Sequence, residues 1–191
     1  MINAAALDLI KRSEGWVNHA YPDPGTGGEP LTIGYGHTSA AGAPRVTAGM
    51  TISLEEGDAI LQSDLKAVEA SVDRLVTVPL NENQRGALVS FVFNVGSSSF
   101  ATSTLLRKLN ARDYNGAVAE FARWNHAGNT VLPGLTTRRA AEAKLFTTPA
   151  VGPVPSPVPT PAPTPSPKPA GSIWAAIIEI VLAIFSAFKK R

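Results

Sequence analysis

The sequence predicts an α+β fold, mostly helical, with a small β-hairpin lobe beside a cleft and a separate helix at the C-terminal end. Three observations carry this. Two strand patterns, at residues 19–23 and 31–37, flank a Gly/Pro turn. From residue 53 onward apolar residues recur at helical spacing behind a capping box and a second capping residue. Near residue 150 the composition breaks, and alternating prolines give way to an apolar run.

Taken in order, Asn3 suits the N-cap of a helix over residues 4–13, with Leu7, Ile10 and Leu9 as its apolar stripe. Gly15 is a natural stop, which leaves Glu14 at the helix C-terminal end. An anionic carboxylate is disfavoured there by the negative end of the helix dipole. Residues 19–23 and 31–37 form the hairpin through Tyr21, Ile33 and Tyr35, while Gly34 and Gly36 hint at close approach of another chain or a ligand. Residues 38–50 are loop. Ser53-x-x-Glu56, with Ile52 as a staple, opens a long helix to about Leu75, whose stripe is Ile60, Leu61, Leu65, Val68, Val72 and Leu75. Asn81 caps the next helix. Its Leu88, Val89, Phe91, Val92, Phe93 and Val95 leave almost no polar face, so it is the expected buried centre. Shorter helices are expected at 103–109, 114–124 and 136–146.

These elements define a domain over residues 1–148. Residues 149–171 are a linker in which every second residue from 153 to 169 is proline, a pattern that favours polyproline II and a reach of roughly 50 Å. Residues 172–191 hold an apolar stretch with a single charge, Glu179, and then Lys189-Lys190-Arg191. A helix over 173–188 is about 24 Å long, short of a ~30 Å hydrocarbon core. Ser172, Glu179 and Ser186 lie seven apart. That seam fits a helix–helix contact in lipid or the wet edge of an interfacial helix.

Charge and composition narrow the function. Residues 1–150 carry 13 basic against 14 acidic residues, and the remainder 4 against 1. A nearly neutral body does not suggest nucleic acid. A basic end beside apolar residues suggests a membrane or lipopolysaccharide surface. With no cysteine there is neither a disulfide nor a thiolate metal site. His19, His37 and His126 make no metal-ligand spacing, so neither metal nor other cofactor is expected. Residues 1–10 lack the basic and apolar regions of a signal peptide.

Glu14 and Asp23 are nine positions apart, and the segment between them can fold back to bring both side chains to one cleft, which suggests carboxylate-based hydrolysis. Glu14-Gly15, the Asp nine residues on, and Thr32-Ile33-Gly34-Tyr35-Gly36-His37 resemble the phage lysozyme (endolysin) family, glycoside hydrolase family 24. The likeness continues through residues 88–96, Ser103-Thr104-Leu105-Leu106, Trp124 and residues 134–142, and covers roughly residues 3–147. It implies a lysozyme-like domain with catalytic Glu14, Asp23 and Thr32. It also implies cleavage of the β-1,4 bond between N-acetylmuramic acid and N-acetylglucosamine in peptidoglycan, for host lysis. The Asp-to-Thr interval is longer than usual for the family, which marks residues 25–30 as an enlarged turn.

In this scheme Glu14 is the general acid, a role suited to a site that disfavours the anion. Asp23 is either the base that activates water or an electrostatic stabiliser of the oxocarbenium-like centre, and Thr32 holds the water. The resemblance implies inversion, which requires carboxyl groups ~6.5–9.5 Å apart. Asn94, Trp124 and Gln84 are candidate sugar contacts, although Trp124 fits the core equally well. His37 reads as structural support. Arg138 and Arg139 either decorate a helix or place one guanidinium against Glu14, opposing the helix-end effect. A monomer is expected, held in the host cytoplasm until lysis and then acting at the periplasm and wall. The rivals are a lytic transglycosylase, against which Asp23 and Thr32 speak, and a catalytically silent wall-binding protein, against which Glu14 speaks.

Overall fold

The computed structural model describes residues 1–22 and 28–149. Asp23, residues 25–27 of the enlarged turn, nearly all of the proline-rich linker and the expected C-terminal apolar helix lie outside the described residues. By internal contacts the chain divides into Met1–Ala150 and Val151–Arg191. Among the described residues no helix is long and apolar enough to cross a membrane.

Helix α1 (Ala4–Glu14) begins where the Asn3 side chain accepts from the Ala6 N–H and ends at Gly15, whose φ of 76° only glycine adopts freely. Strands β1 (Val17–Pro22), β2 (Leu31–Gly34) and β3 (His37–Thr38) form an antiparallel sheet in that order. The stretch 31–37 is therefore not one strand. Gly34 and Gly36 take φ of 67° and 89°, the chain reverses through Tyr35-Gly36, and Ile33 pairs with His37. The sheet packs on a small core of Ile33, Val46 and Ile52.

Helix α2 (Leu54–Leu75) opens with the expected capping box, in which the Ser53 hydroxyl accepts from Glu56 N–H and Glu56 accepts from Ser53 N–H. Ile52 is not a staple. The residue it would meet is Gly57, which has no side chain, so Ile52 packs into the small core instead. The space at Gly57 is filled by the Trp16 indole, and a Cβ there would fall 2.1 Å from a ring carbon. Trp16 also lies 5.1 Å from the Tyr35 ring and touches both cores, so it joins the lobes. Along α2, Ile60 faces the small core, while Leu61, Leu65 and Val72 enter the large one.

Helix α3 (Glu82–Val95) is the centre of the large core, as its apolar circumference predicts. Residues Ala87, Leu88, Val89, Ser90, Phe91 and Val92 are all buried, and α1, α2, α4 and α7 pack around it. The elements after α3 differ in detail from the expected pattern. Helix α4 (Ser97–Ala101) has no side-chain cap, and its one apolar anchor is Phe100. Helix α5 is Thr104–Asn110, and α6 (Tyr114–Phe121) stops before Trp124. A hairpin, β4 (His126–Ala127) and β5 (Thr130–Val131), turns through Gly128-Asn129, a two-residue glycine turn legible in retrospect. Helix α7 (Pro133–Thr147) begins three residues earlier than expected, with Pro133 in its first turn and no side-chain cap at Leu132.

Candidate active site

The residues singled out from the sequence separate into three groups. Glu14, Arg138, Arg139 and Asn94 come together. Glu14, the last residue of α1, projects into a groove of about 860 Å³ lined also by Arg12, Asn94, Leu132, Leu135 and Arg138. Opposite, the β2–β3 turn brings Gly36 so close that a methyl there would lie 3.7 Å from Glu14 Oε2. Gly36 is thus both a turn residue and a close neighbour of the carboxylate.

Arg138 donates to Glu14 Oε1 from Nη1 at 2.7 Å, to the Ser90 carbonyl from Nη2 at 3.1 Å and to Glu142 Oε1 from Nε at 3.2 Å. Arg139 donates from Nη2 to Asn94 Oδ1 at 2.7 Å, and its guanidinium lies 4.9 Å from the Phe91 ring centre. Neither arginine decorates the surface: they are 6% and 1% exposed. Two buried guanidiniums need a buried anion. It is Glu142, one helical turn on, with no exposure. Its Oε1 also accepts from Ser90 Oγ at 2.8 Å, and its Oε2 lies 3.0 Å from Arg139 Nε, an ion pair not aligned as a hydrogen bond. Burial pushes the Glu142 carboxyl up from its ordinary value against the pull of both guanidiniums, and burial pulls Arg139 down. Sequence reading missed Glu142 and Ser90. The available signal was the i, i+3 and i, i+4 spacing of Glu142 from the two arginines.

Trp124 adjoins this group, and Thr32 lies on β2. Trp124 stands edge-on to Phe91, with ring centres 5.4 Å apart, and so belongs to the core. It also lines a hollow of about 360 Å³ that shares Asn94 and Leu135 with the Glu14 groove. Thr32 is buried on β2, paired with Tyr21 on one side and Thr38 on the other, in the strand that leads to the Gly36 turn.

His37 and Gln84 are engaged elsewhere. His37 is 2% exposed, with Nδ1 against Asp64 at 2.9 Å and Nε2 against the Pro44 carbonyl at 2.8 Å, which ties β3 to α2. Gln84 closes the α3 capping box by accepting from Asn81 N–H at 2.9 Å, and it is not among the residues lining the Glu14 groove.

The sequence profile described as Phage lysozyme matches residues 11–142. The chain belongs to the phage lysozyme family. It is 43% identical over 149 residues to the endolysin of Acyrthosiphon pisum secondary endosymbiont phage 1, covering 76% of this chain and 97% of that one. It is equally similar, 43% over 148 residues, to the endolysin of Salmonella phage P22, again with 76% and 97% covered. The solved muramidase domain of SpmX from Asticaccaulis excentricus matches with a TM-score of 0.71 and 37% identity, covering 78% of this chain and 99% of that one. A P22 lysozyme mutant matches at 0.69 and 40%, with the same coverage. This phage lysozyme is accordingly a glycoside hydrolase with a lysozyme-like fold.

Proposed function

We propose that this phage lysozyme cleaves the β-1,4 bond between N-acetylmuramic acid and N-acetylglucosamine with Glu14 as the general acid. The observation that carries the assignment is the placement of Glu14. Its carboxyl stands at the end of α1, in an open groove, held at 2.7 Å by a buried arginine and faced by a glycine turn from the other lobe. A positioned carboxyl with room for a sugar beside it is what protonation of a glycosidic oxygen requires. Asp23 supplies the second carboxylate, as base or as stabiliser of the developing cation, and Thr32 holds the attacking water. Asn94 and Trp124 contact the sugar chain beyond Glu14. The polymer acted on is bacterial peptidoglycan, in the wall, for host cell lysis.

Mass analysis of wall fragments tests this. The intact enzyme is expected to give reducing products that each carry one added water, and Glu14→Gln to give none while melting near the wild-type temperature. Anhydro-sugar products would replace hydrolysis by transglycosylation, and an active Glu14→Gln would remove Glu14 from the role.

We further propose that residues 151–191 deliver this domain to a bacterial membrane. The supporting observation is the order of composition: alternating prolines, an apolar run, then Lys189-Lys190-Arg191, which suits anionic head groups. A synthetic 171–191 peptide should bind anionic vesicles and release trapped dye, and absence of both rejects the idea. Release of the full chain from membranes at alkaline pH would mark an interfacial helix, and retention a spanning one.

A further inference from the structure

Glu142 has no exposed surface, yet one guanidinium partner, Arg138, lines the groove, and the other, Arg139, bonds to the groove residue Asn94. Its Oε1 accepts from Arg138 Nε and its Oε2 lies 3.0 Å from Arg139 Nε. The far end of Arg138 holds Glu14 Oε1 at 2.7 Å, and the far end of Arg139 holds Asn94 Oδ1 at 2.7 Å. A guanidinium is a rigid plane, so fixing Nε fixes the direction of its terminal nitrogens. Besides Glu142, Arg139 is held by Asn94 and by the Phe91 ring, and its buried Nη1 has no hydrogen-bond partner among the described residues. One carboxylate on α7 therefore aims two forks at two groove residues, one on α1 and one on α3.

We propose that Glu142 is a positioning residue for the hydrolysis. It holds Glu14 through Arg138 and Asn94 through Arg139, and its charge offsets one of the two guanidinium charges beside Glu14. The inference rests on Glu14 being the general acid.

The charge count gives the direction. Arg138, Arg139 and Glu142 together present one net positive charge to Glu14. Among the described residues the other groups around it do not cancel this, and Asp23, outside them, carries the same charge in every Glu142 variant. Arg12 of α1 lines the groove but is paired with Asp8. From α3 come only Ser90 and Asn94, which do not titrate, and from the β2–β3 turn comes Gly36. Arg123 and His126 line the adjoining hollow. Making Glu142 neutral doubles the net positive charge. A more positive surrounding favours the ionised acid, so the proton is lost at lower pH.

The test is kcat/KM on wall fragments across pH for the full chain and its Glu142→Gln, Glu142→Asp, Ser90→Ala and Glu14→Gln variants. In Glu142→Gln the alkaline limb of the profile should move down by about one pH unit, and the optimum rate should fall roughly 10- to 100-fold. Glu142→Asp keeps the charge and should restore the limb but not the full rate. A purely structural residue would lower Tm and leave the limb in place, so an unmoved or raised limb in Glu142→Gln overturns the proposal. If Glu142→Gln does not fold, Ser90→Ala decides. It retains the charge and removes one donor to Oε1, so a loss of about threefold or more supports the proposal and a wild-type rate overturns it. An inactive Glu14→Gln beside an unshifted Glu142→Gln fails this proposal alone. An active Glu14→Gln fails the assignment of Glu14 beneath it.

Discussion

Replacing Gly86 by alanine should damage stability and activity together, because Gly86 sets the distance between the helix that carries Glu14 and the helix beneath it. A Cβ at Gly86 would lie 2.5 Å from Ala6 Cβ on α1 and 3.2 Å from Asn3 Oδ1, the N-cap of α1. Unstrained carbon contacts need about 3.5–4.0 Å, so the two helices must part by about 1 Å or more. Neither contact is the end of a flexible side chain. Ala6 is fully buried, and Asn3 is held by the Ala6 N–H and by its own bond to Asn83 Oδ1 at 2.7 Å. Overpacking of this kind costs about 1–3 kcal/mol, against a gain of about 1 kcal/mol in helix propensity. A contact as close as 2.5 Å belongs in the upper part of that range, about 2–3 kcal/mol, so a net loss of about 1–2 kcal/mol is expected, seen as a lower urea midpoint at unchanged m-value. Glu14 stands eight residues along α1 from Ala6, so the same displacement should strain its 2.7 Å bond to Arg138 and lower kcat by roughly 10- to 100-fold. Gly134→Ala, where nothing lies within 4 Å, is the stability control and should be neutral or mildly stabilising. A Gly86→Ala variant as stable and as active as wild type would refute the claim that this contact spaces the helices.

Two further outcomes follow from charges outside the groove. Arg85 donates to Glu69 and Asp73, and these bonds hold the Asp73 carboxyl low; burial raises Glu69, but the hydrogen bonds from the N-terminal amine and Arg85 outweigh it and hold that carboxyl low too. Depressed carboxylates stabilise above their ordinary values and lose that contribution as pH falls through the folded ones. Arg85→Met should therefore cost about 1 kcal/mol at neutral pH, mostly through the less exposed Glu69, and the deficit should shrink below about pH 4. A deficit constant with pH in urea melts would contradict this. His37→Leu strips the half-buried Asp64 and the Pro44 carbonyl of their partner and should cost about 2–3 kcal/mol while the folded fraction keeps its activity. Lost activity at unchanged stability would place His37 in the chemistry instead.

What the sequence determined by itself was local or periodic. The Asn3, Ser53 and Asn81 caps, the Gly15 stop, and the apolar circumference of α3 are set by neighbours within a few residues, and the folded chain has them where expected. The family motif placed Glu14 in its groove for the same reason: a helix end and a following glycine are both short-range. Tertiary structure alone decided the rest. Gly34 and Gly36 mark a turn and not a flat strand because positive φ at both is stabilised only when β3 returns to pair with β2. Helix α4 carries no side-chain cap, so packing fixes it, with Phe100 inserted in the core; the early start of α7 also lacks a side-chain cap, although Pro133 in its first turn is a local signal. Most of all, a Thr-Arg-Arg-Ala-Ala-Glu string looks like a solvated helix face. Its Arg138, Arg139 and Glu142 are buried because Glu14, Ser90 and Asn94, distant in sequence, supply the partners that two guanidiniums and a carboxylate need before they can leave water. No window of the sequence contains those partners together, and only the packing of α1, α3 and α7 makes the cluster neutral.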